Sequence, residues 1–246
     1  RTPSTRTRSP TGVCRTGTTA LLPPGCGLVK KEAALPNDQP DVRPIGMGSC
    51  DTRCIISAAM ADMRADFNAH FWPQQVGCGV KGGAGMIVHA VRETVQRNPG
   101  FVVVKTDFDN WFNRVHRRAI LRAVLDAPLL RPSYRMLYKV LAPKARLYLG
   151  SRFNLADFES AEGGQQGNPA IPMGACAAFH SDLVALDAAL SQAGGFARFQ
   201  MDDGYVVGPP ALVFPAVARF RAAVEAKGGR MRHSKVSCYP GLTAAA

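Results

Sequence analysis

The run FVVVKTDF at residues 101–108 decides the fold. Asn98-Pro99-Gly100 stands before it and stops any helix there. Three consecutive valines between phenylalanines leave no polar face, the pattern of a short strand buried in a core. Asp107 closes that strand. A carboxylate there is expensive to bury unpaired. It reads as an exposed strand-end group, as a cap on the helix that follows, or as a ligand.

Downstream, helical spacing covers about 114–126 and 133–141, and residues 144–159 alternate weakly, as a hairpin does. Pro169 and Pro172 suit the first turn of a long apolar helix that begins soon after Asn168. Residues 196–200 and 205–208 read as two short strands around MDDG (201–204), followed by a helix over 215–226, a Gly228-Gly229 stop and a strand near 236–239. Upstream, Ile55, Ile56, Ala59, Met60, Met63 and Phe67 predict one helix over 49–71, ended by Pro73. The glycine-rich loop QQVGCGVKGGAG (74–85) and a second helix over 84–97 lead into the strand. The order predicts an α+β domain: a small antiparallel sheet covered by helices on one face.

The chain has 246 residues, 46% of them hydrophobic, enough for one sizeable core or two small ones. Glycine and proline show no period, which excludes a collagen-like chain. No uninterrupted apolar run nears 18 residues, so no membrane span is expected. The net charge of +12 suits a polyanion, yet six basic and no acidic residues fall within 1–31, so half the excess lies in a short leader. A merely basic soluble protein fits as well. Residues 1–28 carry few apolar groups and are expected to be a disordered basic leader, with order beginning near Val29. Seven cysteines, an odd number without zinc spacing, read as reduced and mostly buried thiols of an intracellular protein, nuclear or cytoplasmic and not secreted.

Asp107, Asp202 and Asp203 are the carboxylates that can carry chemistry. Brought to one sheet end, they would repel one another unless a cation joined them. Two divalent ions about 3.5–4 Å apart remove that conflict and clamp a phosphoryl transfer. Mg²⁺ suits such a site, with Mn²⁺ as an alternative. Asp-Gly between alternating strands is also a common hairpin turn, and that reading stays open for MDDG.

Six segments follow in order: DVRPIGMGS (41–49), QQVGCGVKGGAGMIVHAVR (74–92), VVVKTDFDNWFNRVHRRAIL (102–121), SAEGGQQGNP (160–169), FQMDDGYVVG (199–208) and GGRMRHSK (228–235). Together they resemble the reverse transcriptase domain of non-LTR retrotransposons and their relatives, across about residues 29–239. The resemblance implies a right-hand polymerase: fingers over 29–100 and palm over 101–246, with 131–160 partly a fingers-like insertion. A thumb is not expected within these residues. It implies Asp107 and Asp202 as principal metal ligands with Asp203 supporting. Phe112 would lie under the sugar and exclude a 2′-hydroxyl, although a buried helix-start phenylalanine is the plain alternative. Gln166 and Gly167 would position nucleotide and template. Arg43, helped by Lys30 or Lys31, would contact the triphosphate. Lys235 would protonate or neutralise the departing pyrophosphate. The implied partners are an RNA template, a DNA or RNA primer and deoxynucleoside triphosphates.

The chain departs from the family pattern at Trp111, where a small residue is usual and where a ring would crowd the nucleotide. Other departures are Asn168 for Asp, Gln200 for an aromatic, and Gly85 for Glu. GCGVKG (77–82) matches a dinucleotide-loop pattern but follows no convincing strand, so it reads as a fingers loop in which Lys81 touches a phosphate. Trp72 reads as core packing or as a base-stacking ring. Arg114, Arg117, Arg118 and Arg122 form either a phosphate-binding stretch or a solvated helix face. The leading expectation is an RNA-directed DNA polymerase. The alternatives are an RNA-dependent RNA polymerase of the same fold and an inactive nucleic-acid-binding remnant.

Overall fold

A computed structural model describes residues 25–30, 42–151, 154–232 and 236–240. Most of the expected leader, Lys31 and Lys235 lie outside them. The strand β1 (Gly25–Lys30) begins ahead of the expected start at Val29 and pairs antiparallel with β2 (Val42–Met47).

The single helix expected over 49–71 is two, α1 (Cys50–Asp62) and α2 (Arg64–Phe71), interrupted at Met63. Ser49 caps α1 by accepting the Thr52 N–H on its hydroxyl. Helix α3 (Gly83–Arg97) then leads to β3 (Val102–Thr106), the expected central strand. The helix expected over 114–126 is also two, α4 (Trp111–Arg114) and α5 (Arg117–Asp126). The break falls at Val115 and His116, whose backbones are extended rather than helical. A 3₁₀ turn precedes α6 (Tyr134–Leu141). The hairpin β4 (Ala145–Ser151) and β5 (Asn154–Ser160) follows as expected. Then come α7 (Ile171–Ser191), β6 (Phe196–Gln200), β7 (Asp203–Gly208), α8 (Pro210–Glu225) and β8 (Ser237–Tyr239).

Among the described residues two four-stranded sheets result. One has the order β6-β7-β3-β8 and is antiparallel throughout; the other, β2-β1-β4-β5, takes in the 145–160 hairpin. In the first sheet Val104 faces Val206, and Thr106 faces Gly204. With Ala197 and Phe199 of β6 they pack under α7 and α8. Val103 and Val207, one residue out of phase, point the other way. Both are buried, and α3 with its buried Ile87 contacts β3, β6 and β7. The sheet thus carries helix on both faces, where one covered face was expected. The sequence signal for this was the three-valine run itself, which has no polar side to leave in water.

Helix α7 is the spine of the core. Among the described residues it is the one helix long and apolar enough to cross a membrane, and 67% of its apolar window is buried inside the protein. Among the described residues, the free cysteines Cys78 and Cys176 are buried, whereas Cys50, Cys54 and Cys238 are exposed. The expectation of mostly buried thiols therefore fails for α1, whose outer face carries two of them.

Candidate active site

Asp107 leaves β3 where β7 begins, because Thr106 pairs with Gly204. The chain after α8 returns to this rim. Arg232 N–H donates to the Asp107 carbonyl (2.9 Å), Asp109 N–H donates to the Arg230 carbonyl (2.8 Å), and Phe108 bridges Met231 in antiparallel register. Asn110 adopts a left-handed conformation (φ 47°) and turns the chain into α4.

One cleft is lined by Asp107, Phe112, Gln166 and Asp202, with Arg232, Asn110 and Asn113 among its other walls. Four residues singled out from three distant segments therefore meet. Asp203 does not line it. Its side chain is exposed and its Oδ1 lies 3.8 Å from Lys105 Nζ. Among the described residues no group of three or more His, Cys, Asp or Glu stands close enough to hold a metal. Of the three expected carboxylates, Asp107 and Asp202 thus line one cleft, and Asp203 stands toward Lys105 on the sheet face. Two carboxylates are the donor set Mg²⁺ accepts, since it keeps its remaining positions for phosphate and water. The residues present fit that ion.

The hairpin turn is not the Asp-Gly pair. Gln200 and Asp203 close a turn whose two central residues are Met201 and Asp202, and Met201 takes the left-handed conformation (φ 56°). Gly204 lies in β7, where a Cβ would strike the Phe199 ring and the Thr106 hydroxyl. Burial pushes the Cys176 thiol well above its ordinary pKa, with Cys78 and the nearby Asp202 carboxylate adding to the effect. The turn also touches the core helix α7, with Cys176 Sγ 3.8 Å from Met201 Sδ.

Trp111 does not stand free in the cleft. It is 4% exposed, stacked on Phe108 (5.7 Å between centroids), on Phe179 (6.0 Å) and on Phe112 (5.5 Å). The ring expected to crowd a nucleotide is mostly a floor of the site, and Phe112, half-buried, rests on it.

The loop carrying Gln166 and Gly167 is wedged between β2 and α4. Gly164 N–H donates to the Phe112 carbonyl (2.6 Å), and Gly46 N–H donates to the Gln166 carbonyl (2.8 Å). Gly167 has φ +110°, and a Cβ there would come within 2.6 Å of the Gly46 carbonyl oxygen. Gly163, at φ +69°, packs against the Asn113 backbone in the same way. Arg43 lies on β2, opposite Val29 of β1, on the strand that holds this loop. Asn168 Oδ1 accepts the Ala170 N–H (3.0 Å) at the start of α7.

Arg117 belongs neither to a phosphate-binding stretch nor to a solvated face. It is 7% exposed and donates to the carbonyls of Gly163, Leu141, Pro143 and Ser160 and to the Ser160 hydroxyl, at 2.7–3.0 Å. Arg122 pairs with Asp126 (2.7 Å) on the exposed side of α5. Arg232 is a basic cleft residue that reading the sequence missed, as it did Asn110 and Asn113. It stands three residues before Lys235 in a segment where the lysine drew the attention.

No family model matches the chain, and no curated protein matches it in sequence. Solved structures do. The apo telomerase from Candida tropicalis superposes with a TM-score of 0.66 over 93% of this chain and 46% of that one, at 10% identity. The same enzyme truncated of its C-terminal domain gives 0.63 over 91% and 51%, also at 10%. Telomerase from Candida albicans, in complex with a fragment of telomeric RNA, gives 0.66 over 90% and 43%, again at 10%. The chain spans about half the length of these proteins. At that identity the likeness is one of fold, and the fold of this chain is a palm-like α+β domain with fingers-type helices.

Proposed function

We propose that the chain is the fingers-and-palm part of an RNA-directed DNA polymerase of the non-LTR retroelement type. It would transfer a deoxynucleotide to a primer 3′-hydroxyl on an RNA template, with a DNA or RNA primer. The observation that carries this reading is the shared cleft of Asp107 and Asp202, which leave two adjacent strands at one rim, with Phe112 and Gln166 in the same wall. The order of six motifs along the chain points to the retroelement type.

Asp107 and Asp202 would hold Mg²⁺, for which Mn²⁺ can substitute. Bound there, such ions favour an ionised 3′-hydroxyl and offset charge on the triphosphate. The chain's own residues do the rest. Phe112, held up by the Trp111 ring, closes the space that a 2′-hydroxyl would need. The Gln166–Gly167 loop offers backbone and amide groups to the base pair being formed. Arg232, with Arg43 and Lys235, supplies positive charge for the triphosphate and the departing pyrophosphate. Asp203, paired with Lys105, acts on the position of the turn and does not bind a metal itself. Binding to template and primer would be mostly to backbone phosphates and would weaken steeply with salt.

Primer extension on an RNA template with Mg²⁺ and deoxynucleotides tests this reading. Incorporation that depends on Asp107 and Asp202 supports it. Incorporation of ribonucleotides at a similar rate would replace it by an RNA polymerase. No incorporation, and no stabilisation by Mg²⁺ with a deoxynucleotide, would make the chain an inactive remnant.

A further inference from the structure

The glycine-rich segment after α2 makes contacts that the catalytic reading leaves unused. Phe199 N–H donates to the Gln74 carbonyl (2.8 Å) and Val76 N–H donates to the Phe199 carbonyl (2.8 Å), so the segment runs as a parallel bridge beside β6. The Gln75 side chain, 2% exposed, then reaches the turn of the catalytic hairpin. Its Oε1 accepts the Met201 N–H (2.8 Å) and the Gly77 N–H (2.9 Å), and its Nε2 donates to the Met201 carbonyl (3.0 Å). A primary amide offers an acceptor and a donor side by side, so one side chain satisfies both backbone groups of one residue.

Met201 needs such a partner. It takes the left-handed conformation without being glycine, a state that persists only where its surroundings hold it. The approach is possible because residue 77 is glycine: a Cβ there would lie 2.6 Å from Met201 N. The neighbouring Gln74 anchors the segment elsewhere. Its Nε2 donates to Asp187 Oδ2 (2.8 Å), and the buried Asp187 also accepts the Ala197 N–H at the start of β6 (2.8 Å) and pairs with Arg198 (2.6 Å). Two adjacent glutamines thus tie both ends of β6 to one loop.

We infer that Gln75 is a positioning residue for Asp202: it fixes the Met201 backbone and so sets where the next carboxylate stands relative to Asp107. This rests on the polymerase reading above. A rotation at Met201 swings Asp202, and a displacement near 1 Å at a reacting centre costs on the order of a hundredfold in rate.

The test uses the full chain, with Gln75→Leu, Met201→Gly and the double variant. Amide hydrogen exchange and primer-extension kinetics are measured on each. Gln75→Leu is expected to lower kcat by about a hundredfold, with the deoxynucleotide KM within about twofold of the wild type. The Met201 amide should lose protection while the Val104 amide keeps it. Glycine enters the left-handed turn unaided, so in the Met201→Gly background the same substitution should lower kcat by less than about tenfold. A residue that merely packs would give equal losses in both backgrounds. Equal losses, or a Met201 amide as protected in Gln75→Leu as in the wild type, overturn the inference. If Gln75→Leu does not fold, Gln75→Met replaces it. That variant keeps the length of the side chain and loses both the donor and the acceptor, so wild-type kcat in it overturns the inference too. Absence of extension by the wild type counts against the polymerase reading, whereas the exchange comparison still decides the clamp.

Discussion

Arg232 donates its backbone N–H to the Asp107 carbonyl across 2.9 Å, joining the segment after α8 to the end of β3. That bond carries the Arg232 side chain into the cleft of the two carboxylates. On the proposed polymerase reading, a guanidinium there would offset charge on an incoming triphosphate. Arg232→Gln is expected to raise the deoxynucleotide KM by about tenfold or more at unchanged Tm. Steady-state kinetics check this, and an unchanged KM would remove Arg232 from the substrate site.

Phe112 rests on Trp111 with ring centroids 5.5 Å apart and planes 22° apart. The stack fixes the height of the Phe112 ring above the core. Phe112→Val should therefore admit ribonucleotides, lowering discrimination against them by at least about tenfold. Competition between deoxynucleotides and ribonucleotides in primer extension reads this ratio directly.

Arg117 ties α5 to the end of α6, to β5 and to the loop before Gln166. Replacing it removes the donor from four carbonyls, of which those of Leu141 and Gly163 belong to buried residues. Arg117→Ala is expected to cost about 3 kcal/mol, a fall in Tm of roughly 6–12 °C. Arg117→Lys should recover less than half, because an ammonium cannot reproduce the planar fork. A Tm within about 2 °C of the wild type for Arg117→Ala would contradict the role assigned here.

His180 packs on His70 (4.7 Å between centroids) and on Phe71 (5.3 Å). Burial, with His70 adding, lowers its pKa to about 4; burial lowers that of His70 also. The folded state thus holds these rings neutral while the unfolded chain protonates them near 6.5. The stabilisation is complete above pH 6.5 and is lost as pH falls from there toward 4. Allowing for partial solvent screening, the change for His180 is on the order of 1–2 kcal/mol. His180→Phe should flatten Tm against pH in that window and leave the slope below pH 4 unchanged. An unchanged slope would contradict the assignment.

Much of this was legible in the sequence. The valine run, the proline-marked start of α7 and the hairpin at MDDG each depend on local chemistry, and each is present where the pattern placed it, although β7 begins at Asp203, ahead of the expected Tyr205. Residues that act through tertiary contacts were not legible. Arg117 reads as one of four arginines on a helix, and only the carbonyls brought to it from 141–163 make it a buried clamp. Gln75 sits in a glycine-rich loop whose pattern suggests phosphate binding, whereas its partner lies on a hairpin far along the chain. Asp203 reads as the twin of Asp202. The strand alternation that begins at residue 203 turns its side chain to the face of Lys105. Trp111 looked like an obstruction because the sequence does not show that Phe108 and Phe179 offer it a stack.

The central claim is that Asp107 and Asp202 together hold the ions of a nucleotidyl transfer. It is tested most directly by Mg²⁺-dependent primer extension with Asp107→Asn, Asp202→Asn and Asp203→Asn beside the wild type. The first two are expected to lose at least about a thousandfold in kcat, and Asp203→Asn no more than about tenfold, with all three folded as the wild type is. Extension by Asp202→Asn at the wild-type rate, or a wild-type chain that extends no primer, would contradict the account.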